Sequence, residues 1–366
     1  SGSVTVGVSA AVAFENFQVL IGGGGDDTFD FSGGGSVVRS ETIEFGAVQG
    51  EAGNNTLISR EANTQWAING LSSEDSNGSL SVAGTAYVEA FSGIQILEGQ
   101  AVFVDSFVLT DSGAFDGSIN GFGGADTLSV ASVSGERNDW YLNNENAGVV
   151  NRYNSSNVAS SRFTFSNITA LTGGTGVDEF RFTDAGSITG TINANAVSGE
   201  NIGSDTVNLS ELSGLVSVNL SGGTVYGVQN IEEVIGNGDG STLIGLNTGT
   251  NTWQVNAPND GTLVNGANSL GFFDFANLTG GADATDNFTI TADGSVTGTI
   301  IGGTPTNGIV TDSIITETNS RVWALSAAGE GDVSGINFTG IERFVGNGEG
   351  DTLVGISQNN RWTVTG

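Results

Sequence analysis

The sequence predicts an all-β chain of the parallel β-helix or β-solenoid kind, a rod of stacked coils, with tandem β-sandwich repeats as the alternative. Three observations point there. Short runs of alternating residues recur, such as "TFDFS", "FRFTD", "WQVNA" and "FTITAD". Gly/Asn/Asp corners break them every eight to twelve residues. No stretch keeps apolar residues at spacings of three and four for several turns, so helices find no support.

The corners come first. "GGGGDDTF" starts at Gly22, "GGTGVDEF" at Gly173 and "GGADATDNF" at Gly280, ending in Phe29, Phe180 and Phe288, with Phe107 closing a degenerate fourth. Six residues after each Phe stands a glycine: Gly35, Gly113, Gly186 and Gly294. A spacing kept four times is a register, and it places the four Phe inward at equivalent positions.

A second pattern sets a tryptophan nine to twelve residues after the leucine of a Thr-Leu step, at Trp66, Trp140, Trp253 and Trp362, with Trp323 a looser case. Fixed offsets inside alternating runs mark core residues rather than exposed platforms for sugar. The longest internal match sets 227–245 against 337–355. Residues 1–366 thus read as one irregular repeat array, with approximate units 1–66, 67–140, 141–253 and 254–362. Units that cannot bury a face alone and stack in series indicate a solenoid. With coils of about 20 to 24 residues stacked ~4.8 Å apart, the array would be a rod about 70 to 85 Å long.

Composition removes much chemistry. The 366 residues carry a formal charge of −31, all nine basic residues are Arg, and Cys, His, Met and Lys are absent. Ser-His-Asp triads, thiol nucleophiles, ordinary zinc sites, Schiff bases and P-loops are therefore excluded. The charge opposes nucleic acid and anionic membranes. No apolar run approaches the ~18 residues of a spanning helix, so no membrane insertion is expected. A chain without Met that starts mid-pattern reads as a fragment of a longer one.

"GGGGDDTFD" and "GGTGVDEFR" both fit G-G-x-G-x-D-x-U-x, where U is large and apolar. Glycines turn the chain with positive φ and expose carbonyls, while the Asp offers a hard anionic oxygen of the kind Ca²⁺ takes. Two readings stand side by side: corners in which Asp caps its own backbone, and calcium half-sites. The candidate metal residues are Asp27 and Asp178, with Asp126 downstream of Asp105, Asp205 downstream of Asp178, and Asp312 downstream of Asp286. Each of these three gaps is close to the length of one coil. The corners are scattered rather than tandem, so a few calcium sites are expected, not a ladder. A phosphate cradle fails because no helix follows and no basic residue accompanies the glycines.

The strings "FANLTGGADATDNFTITADGSVTGTIIGG" and "NIEEVIGNGDGSTLIG" resemble the repeats of giant secreted bacterial surface proteins, the filamentous-haemagglutinin-like and RTX-like exoprotein adhesins. The resemblance implies an extracellular or cell-surface location, a β-solenoid stalk, a role in adhesion or in building a filament, sheath or surface layer, and no catalysis. Expected partners are copies of itself, neighbouring repeats of the same chain, or surface polysaccharide. The competing expectation is a carbohydrate-active or carbohydrate-binding parallel β-helix using paired carboxylates. Active sites interrupt repeats, and these repeats look equivalent.

Overall fold

The computed structural model describes residues 2–5, 11–37, 48–69, 78–110, 113–133, 135–194, 204–305, 310–348 and 350–364. The chain is all-β in long, mixed sheets, and the described residues include one 3₁₀ turn, Leu220–Gly222. It divides into two compact units, Ser1–Asp205 and Thr206–Gly366.

In the first unit the chain steps between two ladders. One runs, in spatial order, through Leu20–Gly23, Val48–Glu51, Thr85–Ser92, Gly78–Val82, Thr64–Ile68, Ser106–Leu109, Thr127–Val130, Ala170–Thr172 and Ile192–Asn193. The other runs through Thr28–Phe31, Thr56–Ser59, Ile96–Glu98, Gly117–Asn120, Ala159–Ser166, Ala147–Tyr153, Arg137–Asn144 and Val177–Phe182. Pairing between successive passes is parallel and in register. Ser106 lies beside Thr127 of the following pass, and Thr28 beside Thr56.

The second unit repeats this plan. One ladder passes through Thr206–Asn208, the start of Glu233–Ile244, the start of Asn268–Thr279, Asp260–Asn265, Thr250–Ala257, Thr285–Ile290, Ser313–Thr316 and Arg343–Val345. The other passes through Ser217–Asn219, the ends of those same two long strands, Thr299–Ile301, Ile336–Thr339, Glu330–Val333, Val322–Ala327 and Thr352–Val354.

Coils of one uniform length do not describe this. At Trp66, Trp140, Trp253 and Trp323 the chain enters a three-stranded antiparallel meander before resuming parallel stacking. Passes that contain one are longer: Gln65 lies beside Ser106, and Thr250 beside Thr285. The hairpins close through positive φ, borne by Asn146, Asn259 and Gly329 and, in the first meander, by Gly84 together with Ala83. Each meander has a glycine in its middle strand, and the ring edge of a Phe from its third strand lies over it. The pairs are Gly78 with Phe91, Gly148 with Phe165, Gly261 with Phe272, and Gly331 with Phe338.

Burial follows the strand pleat. Val177–Phe182 and Thr285–Ile290 alternate half-buried and buried positions, as period-two side chains must when one face is covered. Phe107, Phe180 and Phe288 are fully buried and Phe29 is half-buried. The six-residue step is a real turn: the amides of Gly35, Gly113, Gly186 and Gly294 donate to the carbonyls of Ser32, Thr110, Thr183 and Thr291.

Candidate functional site

Each meander tryptophan is wedged between two neighbours. Trp140 stacks on Phe180 of the next pass, with centroids 5.4 Å apart and planes at 16°, and meets Phe165 edge-on at 6.4 Å. Trp253 repeats this with Phe288 (5.2 Å, 18°) and Phe272 (6.0 Å, 67°), and Trp66 with Phe107 (5.6 Å, 12°) and Phe91 (6.4 Å, 72°). Trp323 meets Phe338 edge-on at 6.3 Å and lies in register with Leu353. Stacked and edge-on pairs of this kind contribute about 0.5–1.5 kcal/mol beyond the area they bury.

At Trp140 and Trp253 the polar end of the indole is answered from the same pass that supplies the stacking Phe. Trp140 Nε1 donates to Oδ1 of Asp178 at 2.8 Å, and Asn138 Nδ2 donates to the same oxygen at 2.9 Å. Oδ2 accepts the Gly174 amide at 2.9 Å. Trp253, Asn251 and Gly281 hold Asp286 at 2.8, 2.9 and 2.9 Å. The motif is Asn-x-Trp on one pass and Asp-x-Phe on the next. Parallel register places Asn opposite Asp and Trp opposite Phe.

The first and last joints are degenerate. Thr64 replaces the Asn before Trp66 and gives both its amide and its hydroxyl to Oδ1 of Asp105, whose Oδ2 takes the Gln100 amide at 2.7 Å. Trp66 Nε1 is left buried without an acceptor among the described residues. Before Trp323 stands Arg321, whose amide donates to Asp351 Oδ1 at 2.8 Å.

The six candidate metal residues fall into this same system. Asp126 lies one pass beyond Asp105, and its Oδ1 accepts the Asp105 amide at 2.7 Å. Asp205 takes the Asp178 amide and Asp312 the Asp286 amide, both at 2.8 Å. The three spacings that single out these acids in the sequence are thus three direct contacts between neighbouring passes. Asp27 plays the donor part at its own corner: its amide gives to Asn55 Oδ1 at 2.9 Å, and Asn55 in turn gives its amide to Gln95 at 2.8 Å.

The glycines of these corners serve close approach rather than left-handed backbone. Gly22, Gly173 and Gly280 are absent from the positive-φ residues. The Asp five or six residues on instead folds back over each α-carbon. A β-carbon on Gly173 would stand 2.6 Å from Asp178 Cγ, and one on Gly280 would stand 2.5 Å from Asp286 Cγ.

Burial pushes the carboxyls of Asp105, Asp178 and Asp286 up to about 6, against the hydrogen bonds that favour the ionised form. Asp126 and Asp312 rise to about 7, again by burial, with the neighbouring Asp105 and Asp286 charges adding to it. Arg152 is also buried, and its Nη1 ties the Thr110 and Gly113 carbonyls at 2.8 and 2.7 Å.

As a cation site the donor set is uneven. Asp178 and Asp286 have both oxygens engaged by N–H groups, so an ion there must displace them. Asp27 and Asp126 each keep one buried oxygen, Oδ2, that no described residue answers. Among the described residues no three acidic, His or Cys side chains converge. Asn138 and Asn251 were not singled out by the spacing of corners. Their signal is the recurring "NDW", "NTW" and "NRW", read two residues back from each Trp.

Comparison with protein families, with characterised proteins and with solved structures finds no match to this chain. Its own residues carry the functional reading.

Proposed function

We propose that this chain is a non-enzymatic structural and adhesive segment of a giant extracellular bacterial surface protein, built as a β-solenoid whose coils stack through tryptophan–aspartate joints. The observation that carries this is the recurrence of one joint, complete at Trp140 and Trp253 and degenerate at Trp66 and Trp323, each Trp in register with a residue of the next pass. The corner acids, Asp178 and Asp286 foremost, hold neighbouring passes in register. A catalytic pair needs a carboxyl free to reach substrate, whereas Asp178 and Asp286 are buried and bonded through both oxygens. Repetition and a charge of −31 suit a spacer that stays soluble and presents a negative surface.

Calcium is a secondary part of the proposal, confined to Asp27 and Asp126, whose unanswered Oδ2 atoms are the available anionic oxygens. Melts in calcium and in chelator test it: a higher midpoint in calcium that Asp27→Ala and Asp126→Ala remove supports the sites, and equal midpoints in wild type eliminate them.

The function as a whole is tested by a screen of neutral and anionic polysaccharides. Binding without turnover, or neither, agrees with a structural or adhesive segment. Turnover of any one polymer, lost on changing a specific carboxylate pair, contradicts it in favour of a carbohydrate-active β-helix.

A further inference from the structure

One of the four meanders breaks the repeat on its outer face. The residues on either side of each meander tryptophan lie on the sheet face opposite the core, and so do their in-register partners on the next pass. Beside Trp140 these are Asp139 and Tyr141, set against Glu179 and Arg181. The same positions hold Gln65, Ala67, Ser106 and Val108 around Trp66, and Val322, Ala324, Thr352 and Val354 around Trp323. Around Trp253 they hold Thr252, Gln254, Asn287 and Thr289. None of these counterparts is charged or aromatic. Trp253 makes the complete joint without such groups, so the joint does not call for them at Trp140.

Further groups join the same face. Arg137 pairs with Tyr153 across the meander, and its guanidinium lies 4.4 Å over the centre of the Tyr153 ring. Its Nε stands 2.8 Å from Asp139 Oδ1. The Arg181 guanidinium lies 5.4 Å from the centre of the Tyr141 ring, and its Nη2 donates to Glu179 Oε2 at 2.8 Å. The Arg137 and Arg181 side chains remain 38% and 30% exposed. On the third strand Arg162 is exposed opposite Asn151, which in turn stands opposite Asp139. Three of the nine arginines and two of the four tyrosines thus share one sheet face. A guanidinium stacked on a ring and tied to a carboxylate is held in place, so little side-chain freedom is left to lose on binding.

We propose that this face, centred on Tyr141 and Arg181, is a binding site for a neutral polysaccharide. The proposal rests on the adhesive reading above and names its site and its ligand class. The side chains choose the ligand. Arginine forks offer fixed N–H donors, the Glu179 carboxylate and the Asn151 amide offer acceptors, and the tyrosine rings add apolar surface beside them. Neighbouring hydroxyls of a pyranose take a donor and an acceptor side by side, and its C–H face takes the apolar surface. Charge complementarity points the same way. The ion pairs Arg137–Asp139 and Arg181–Glu179 cancel within the face. A polyanion is repelled by a chain of charge −31. A polycation meets Arg137, Arg162 and Arg181, whereas an uncharged polymer meets neither obstacle.

Retardation in native gels tests this, with gels cast in neutral polymers (dextran, xyloglucan, galactomannan and mixed-linkage β-glucan), in polygalacturonate and in dextran sulfate. The expected result is binding to at least one neutral polymer, weakened about tenfold or more by Tyr141→Ala, Arg181→Ala or Arg162→Ala. The chain with both Gln254→Ala and Thr289→Ala, at the same places beside Trp253, should bind as wild type does. Arg162 is exposed and lies outside the joint, so its variant keeps the test sound if the other two fail to fold. Binding to no neutral polymer overturns the site and leaves the structural segment standing. Binding that survives all three changes, or that is confined to polygalacturonate or dextran sulfate, overturns it equally. Cleavage of a bound neutral polymer, lost in Glu179→Gln, would keep the site and overturn the non-enzymatic reading instead.

Discussion

The indole of Trp140 and the carboxylate of Asp178 meet at 2.8 Å from neighbouring parallel passes, 38 residues apart in sequence and both fully buried. Trp253 and Asp286 do the same at 2.8 Å across 33 residues. The stacking and the hydrogen bond act along one line: Phe180 or Phe288 fixes the plane of the ring, and the Asp two residues earlier fixes its rotation. Between them they add to the register that the alternation of buried and half-buried residues already imposes on one pass against the next.

The joints are not equal, and that difference is measurable. Trp140 Nε1 has an acceptor, and Trp66 Nε1 has none among the described residues. Replacing each with Phe removes a donor while keeping an aromatic ring. Trp140→Phe leaves Asp178 short of one hydrogen bond and should destabilise the chain by roughly 1–2 kcal/mol more than Trp66→Phe, since the latter relieves an unsatisfied buried group. Denaturant melts of the two variants decide it. Equal losses would mean that the indole bond contributes nothing.

The corner glycines separate in the same way. A β-carbon at Gly173 would collide with Asp178 and with the Ala194 carbonyl, whereas one at Gly24 meets nothing within 4 Å. Gly173→Ala should cost about 2 kcal/mol or more by overpacking, and Gly24→Ala should stay within about 0.5 kcal/mol of wild type. A comparison of their melting midpoints checks this. A severe loss at Gly24 would point instead to a backbone requirement in the first corner.

The buried acids fix the direction of pH dependence. Asp105, Asp178 and Asp286 titrate near 6 and Asp126 and Asp312 near 7 when folded, above the ordinary 3.8 of the unfolded chain. A group whose folded pKa is raised adds stability that is complete at pH below the unfolded value. That stability is lost as pH rises through the folded value. Melting midpoints should therefore fall from about pH 4 to about pH 7 and level off above, so that pH 4 and pH 8 bracket the loss. Asp126→Asn should flatten part of that slope. Asn55 shows that such a corner accepts an amide, its Oδ1 taking the Asp27 amide and its Nδ2 giving to the Gly93 carbonyl at 2.9 Å. The gain at pH 8 should be on the order of 1 kcal/mol, well short of the full shift because the site is partly screened. An Asp126→Asn chain that differs from wild type equally at both pH values would show that Asp126 does not titrate there.

Much of this was legible in the sequence, and the reasons are local. The step from Phe to Gly is visible because the turn that closes it is a short-range contact, Gly186 to Thr183 for example. The pairing of Asp178 with Asp205 and of Asp286 with Asp312 followed from spacing alone, because each pair is separated by little more than a single pass. The meanders were not legible as such. An antiparallel excursion such as 137–166 uses the same alternating residues as a coil, and only the Asn146 turn and the Gly148–Phe165 pair distinguish it. Nor could sequence show that Gly173 is demanded by a side chain five residues on rather than by its own φ, because both demands select glycine.

The account stands on the joint itself, so the sharpest test is a double-mutant cycle on Trp140 and Asp178: Trp140→Phe, Asp178→Ala, and the two together, each measured by equilibrium denaturation. A direct bond between buried partners predicts that the double variant loses less than the sum of the singles, with a coupling of about 1–2 kcal/mol. Strictly additive losses, within about 0.3 kcal/mol, would contradict it and leave the two residues as independent parts of the core.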